Sequence, residues 1–128
     1  MPLGAIVYPP VAFDVLNPSL WPDFPWADLA PHFDVWLPMT YWTYRSADSA
    51  YRDAHRYVTE NVQRLRQHVG DPAAPVHVIG GLAEPMTATD IEAFRRAAAE
   101  QHAIGHSVYD FNTTSPSAWP LLATPSGC

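Results

Sequence analysis

The chain has 128 residues, 48% hydrophobic and 12% aromatic, which suffices for one compact domain with a core but not for two, and excludes general disorder. No apolar run approaches the about 20 residues that cross a bilayer, residues 1–20 lack the basic start and continuous apolar centre of a secretory signal, and the single Cys128 can neither close an internal disulfide nor join a second thiol on a metal. Thirteen acidic side chains against seven basic ones, all Arg, give a formal charge of −6 and no basic stripe, which argues against DNA, RNA or an anionic membrane as partner and favours an uncharged or weakly charged ligand.

Fourteen prolines lie mainly between apolar or periodic segments that alternate in type, the pattern of a parallel sheet with helical crossovers. The first expected strand covers residues 3–8, a continuous apolar run closed by Pro9 and Pro10 and read as buried on both faces. Residues 11–33, rich in Pro and Trp, hold at most a short helix near 26–30 and read as a long functional loop, uncommon in a compact domain. The second strand covers 34–41. Tyr51, Ala54, Val58, Val62, Leu65 and Val69 then recur at helical steps, with Ser46 or Ser49 as the cap and Gly70 with Pro72 as the end. The third strand, 76–80, follows Pro75 and leaves through Gly81. A second helix begins at a capping box made by Thr87 and Asp90, or by Thr89 and Glu92, and buries Ile91, Phe94 and Ala98. The fourth strand, 103–109, ends at the polar run 110–114.

Strand starts near residues 3, 34, 76 and 103 give βα units of about the 30-residue size of a right-handed crossover. An open doubly wound sheet and about half of an eight-stranded barrel, itself typically ~250 residues, both fit. The half barrel is the expectation: an α/β chain whose residues 1–128 form one domain, a partial (β/α)8 TIM barrel of about four βα units belonging to a larger barrel. Its open sheet edges favour self-association with a second copy.

Function in such a barrel collects where the strands end. Here those positions hold Tyr8; then Met39, Thr40, Tyr41, Trp42 and Tyr44; then Gly80, Gly81 and Glu84; then Tyr109, Asp110 and Asn112. Aromatic faces stack on sugar rings and carboxylates bond their hydroxyls, so the mixture points to a carbohydrate ligand. Tyr8, Tyr41, Trp42 and Tyr109 are the expected substrate-binding residues, with Tyr41, Trp42 and Tyr44 exposed at the rim and Trp36 in the wall or core. Trp21 and Trp26 either pack the long loop or offer a further platform. Glu84 and Asp110, the only carboxyl pair on adjacent strand ends, are the expected catalytic residues. A glycosidase needs two such groups, about 5 Å apart for retention or roughly 6.5–9.5 Å for inversion. The alternative for Asp110 is an Asx turn ahead of Asn112 and Thr113, and for Glu84 a solvated residue before Pro85.

The segment Val35-Trp36-Leu37-Pro38-Met39-Thr40-Tyr41-Trp42 resembles the Met-x-Tyr-Asp element on the sixth strand of family 18 chitinases, and Ser107-Val108-Tyr109-Asp110-Phe111 resembles the last strand of glycoside-hydrolase-like barrels. The resemblance implies strands five to eight of such a barrel and makes Tyr41 a hydroxyl donor to the substrate. Trp42 stands where that family has Asp, and its acidic fourth-strand motif would lie upstream of Met1. Two further readings stand beside it. A phosphate-binding barrel enzyme would use Val78-Ile79-Gly80-Gly81 with the helix that follows, although Glu84 and Asp110 would repel phosphate and Arg45 is the only nearby cation. A non-catalytic module would bind glycan with the same aromatic rim. The six His, among them His77 and His106 on separate strands, show no metal-binding spacing, and neither a metal nor a cofactor is expected. Ser107 lacks the frame of a nucleophile elbow.

Overall fold

A short apolar run becomes a strand when neighbours pair its backbone, and the alternation of its side chains then shows which face is covered. The computed structural model describes residues 1–123, so Cys128 lies outside the described residues. Strand β1 (Gly4–Val7) pairs in parallel with β2 (Val35–Pro38), and β3 (His77–Ile79) with β4 (Gly105–Ser107). Isolated parallel bridges from Trp36 to Val76 and from Met39 to Ile79 join these two small sheets.

This corrects the expected partial (β/α)8 barrel. The described strands are three or four residues long, form two two-stranded parallel sheets and close no barrel. The physical reason is visible in β1. Ala5 and Val7 are buried, but Ile6 is 66% exposed and Gly4 and Tyr8 are also exposed, so a run that reads as covered on both faces is covered on one. Continuous apolar sequence specifies a strand and leaves its second face open. Nor are all the strands interior: among the described residues β1 pairs only with β2, and β4 only with β3.

The covered face packs against α2 (Ala54–Val69) and α3 (Ala88–Glu100). Ala54, Tyr57, Val58, Val62 and Leu65 form the buried stripe of α2. Its cap is Asp53, whose carboxylate accepts the Arg56 N–H at 2.7 Å; Ser49 caps the preceding 3₁₀ turn Ala50–Arg52 instead. Gly70, at φ +72°, ends the helix in the left-handed conformation that glycine adopts without strain. The Thr87–Asp90 capping box forms as its spacing predicts, both bonds being 3.0 Å, and α3 buries Ile91, Phe94, Ala97 and Ala98.

Between β1 and β2 the chain makes a π-helical turn at Ala12–Leu16, the short helix α1 (Trp26–Leu29) and a 3₁₀ turn at Ala30–His32. Helix α1 lies where a short helix was expected, whereas the turn at 12–16 has no periodic signal. Phe13 and Trp26 are buried, and Trp26 lies 5.9 Å from Trp36 and 5.4 Å from the His68 ring, which it stacks on. Helix α4 (Trp119–Ala123) closes the described chain.

A fully buried amide helps tie the crossover to the helical layer. Asn61 is fully buried within the α2 stripe; its Oδ1 accepts the Val11 N–H at 2.9 Å, and its Nδ2 donates to the Tyr57 carbonyl at 2.8 Å. Replacing it with Ala strands the buried Val11 donor, and leaving such a group unsatisfied costs about 1–3 kcal/mol. Asn61→Ala is expected to lower the unfolding free energy by that amount, read as a lower urea midpoint at unchanged m-value. An unaltered midpoint would show that water reaches Val11.

Candidate functional site

Parallel strands bring their carboxyl ends to one edge, and here backbone hydrogen bonds lock those ends together. Met39 N donates to the Val7 carbonyl at 3.0 Å, Gly80 N to Ser107 at 2.8 Å and Tyr109 N to Gly81 at 2.7 Å. The buried Thr40 donates both its N–H and its hydroxyl to the Ile79 carbonyl, each at 2.8 Å. Tyr8, Tyr41 and Tyr109 therefore follow one another along that edge.

Gly81 makes room for the central tyrosine. Its φ is +86°, and a Cβ built on it would stand 2.8 Å from Cγ of Tyr41, so the ring lies directly over the glycine. Tyr41 is half-buried, packs edge-on to Tyr44 at 5.6 Å and lies 6.5 Å from Tyr109. Tyr8, Tyr44 and Tyr109 are more than half exposed. Tyr8 stacks on Phe13 at 5.5 Å, which fixes its ring from the crossover side. A cavity of about 200 Å³ forms here, and Tyr8, Met39, Tyr41, Tyr44, Arg45 and Tyr57 are among its lining residues.

Burial, followed by the neighbouring Tyr44 and Tyr109, raises the Tyr41 pKa above its ordinary value, so its hydroxyl stays protonated further into the alkaline range. Burial likewise raises Tyr57, whose ring lies 5.9 Å from the Arg45 guanidinium carbon. The cavity thus offers ring faces, hydroxyls and one guanidinium, and among the described residues no carboxylate side chain lines it.

The remaining expected site residues lie differently. Trp42 is fully buried, 5.3 Å from Phe94, which corrects its expected exposure at the rim: the 3₁₀ turn Trp42–Tyr44 turns the indole into the core. Trp36 is buried, as read from the sequence. Asp110 follows a cis peptide bond, and its Oδ1 accepts the Thr113 N–H at 3.1 Å while its own N–H donates to Thr113 Oγ1 at 2.9 Å, the local turn foreseen as the alternative. Glu84 is exposed and has no hydrogen bond or ion pair among the described residues. Trp21 lies with Asp14, Asp23 and Phe24 around a separate cavity of about 330 Å³.

His77 and Ser107 meet across β3 and β4, Nε2 to Oγ at 3.0 Å, and burial lowers the pKa of both His77 and His106. No group of three metal-ligating side chains converges among the described residues. Comparison of the chain with protein-family models, curated proteins and solved structures finds no match. Among the lining residues, Tyr57 escaped the sequence reading because it looks like any member of the α2 stripe, and Arg45 was singled out there only as the cation near the Gly-rich segment.

Gly81→Ala forces a Cβ into Tyr41 at a positive φ that costs an L-residue about 1–2 kcal/mol, so the Tyr41–Tyr109 ring contact, read by nuclear Overhauser effects, is expected to disappear; its persistence would show that the loop relaxes instead. The raised Tyr57 pKa means that above the ordinary value of 10.0 the unfolded chain loses a proton that the folded chain keeps. Stability is therefore intact below that pH and falls as pH rises through it. Tyr57→Phe should flatten the alkaline limb, and an equally steep limb would assign the loss to other groups.

Proposed function

We propose that this chain binds a carbohydrate at its tyrosine-lined edge without hydrolysing it. The observation that carries this reading is the 200 Å³ cavity, where the rings of Tyr8, Tyr41 and Tyr44 meet and no carboxylate is among the lining side chains. Aromatic faces suit the weakly polar faces of sugar rings, and phenolic hydroxyls both donate to and accept from sugar hydroxyls. Tyr109, against Tyr41, extends the stacking surface along the edge.

Hydrolysis would require two carboxyl groups flanking one bond. Asp110 is engaged by Thr113, and Glu84 is solvated, which supports the non-catalytic reading.

The test is titration with soluble chito- and cello-oligosaccharides, read by tyrosine ring resonances. Saturable binding is expected, weakened at least tenfold by Tyr41→Ala, with no new reducing ends. Reducing ends that vanish in Asp110→Asn would reinstate hydrolysis. Absence of saturable binding to these series and to uronate oligosaccharides alike, or binding indifferent to Tyr41→Ala, would overturn the proposal.

A further inference from the structure

The arginines of this chain are mostly spoken for. Arg56, Arg64 and Arg96 lie within ion-pair distance of carboxylates. Arg52 and Arg66 donate to backbone carbonyls. Arg45 has neither kind of partner among the described residues, and its Nε is buried with no hydrogen bond. Arg95 also keeps unpaired buried nitrogens, but it is not among the residues lining the tyrosine cavity. Arg45 is, and its one described contact of charge is with the Tyr57 ring, 5.9 Å from the guanidinium carbon.

In the half-buried Arg45 side chain, a buried Nε without an acceptor leaves hydrogen-bonding capacity unused where desolvation makes that costly. Its five donors form a planar fork that matches a carboxylate in two parallel bonds. Among the described residues no carboxylate lines this cavity, which leaves the Arg45 fork open to an acceptor carried by a ligand. Tyr8, Tyr41 and Tyr44 surround the same space with ring faces and hydroxyls. A phosphate dianion would call for a second cation, whereas a carboxylate matches the single charge of Arg45.

We propose that Arg45 receives the carboxylate of an acidic saccharide, a uronate whose ring stacks on the tyrosines. This rests on the saccharide reading above and narrows it to one ligand class.

The full chain is titrated with trigalacturonate and with its fully methyl-esterified, uncharged counterpart at equal ionic strength. At least tenfold tighter binding of the acid is expected, and Arg45→Gln should erase that preference while circular dichroism shows an intact fold. Equal affinity for acid and ester, or a preference retained in Arg45→Gln, would overturn the inference and leave general carbohydrate binding standing. Propionate supplies the carboxylate without the sugar. Should neither saccharide bind while propionate shifts the Arg45 Nε–H resonance, the saccharide reading falls and with it the uronate assignment, leaving a bare carboxylate site; no response to any probe overturns both.

Discussion

Thr40 holds the two small sheets together at the edge where the cavity lies. Pro38 ends β2 and has no N–H to extend a ladder. Two residues later, the Thr40 N–H and hydroxyl both donate to the Ile79 carbonyl at 2.8 Å, filling both lone pairs of one acceptor at the end of β3. With Thr40 pinned, the next two side chains part company: Tyr41 lies over Gly81, and Trp42 turns inward against Phe94. Gly80 and Gly81 serve that divergence from opposite sides. A Cβ at Gly80 would crowd Phe94 and Trp42, and one at Gly81 would strike Tyr41. The rim tyrosine and the buried tryptophan thus depend on one threonine and two glycines.

The helices were legible because their signals are local. The α2 stripe and the reciprocal Thr87–Asp90 bonds need only spacing to be recognised, and Gly70 needs only its place after the last periodic residue. Which face of β1 is covered was not legible, since Leu3, Ile6 and Tyr8 are apolar yet half or more exposed. Trp42 misled for a related reason. Position beyond Pro38 suggested a rim, but a 3₁₀ turn rotates successive side chains about its axis and sends one of three inward. Asn61 did carry a sequence signal: a lone amide within the stripe of Tyr57, Val58, Val62 and Leu65 has to find partners if the stripe is buried. Its partner, the Val11 N–H, lies 50 residues away, and no spacing rule reaches so far.

The aromatic crossover is more than a connection. Phe13, buried on the π-helical turn, stacks on Tyr8 at 5.5 Å and on Phe24 at 5.1 Å, while Phe24 packs against Trp26 at 4.4 Å. Tyr8 is therefore the outermost ring of a cluster that reaches down to Trp36 in β2. Asn61 anchors the same segment through Val11. A long stretch rich in Pro and Trp gains order here by contributing rings to the core, which offsets the conformational entropy lost in fixing it.

Charge sets the last constraint. A chain of formal charge −6 repels an anion at a distance, which is why composition favours weakly charged ligands. At physiological ionic strength that repulsion is screened over about 8 Å, so within the cavity the near groups decide. Those are neutral phenols and one arginine whose side chain has no carboxylate partner among the described residues. A ligand with isolated carboxylates along an otherwise neutral, ring-shaped backbone satisfies both ranges: weak repulsion on approach, and a matched contact once Arg45 is reached. A densely charged polyanion satisfies only the second, and its approach is opposed by the same field that turns nucleic acid away.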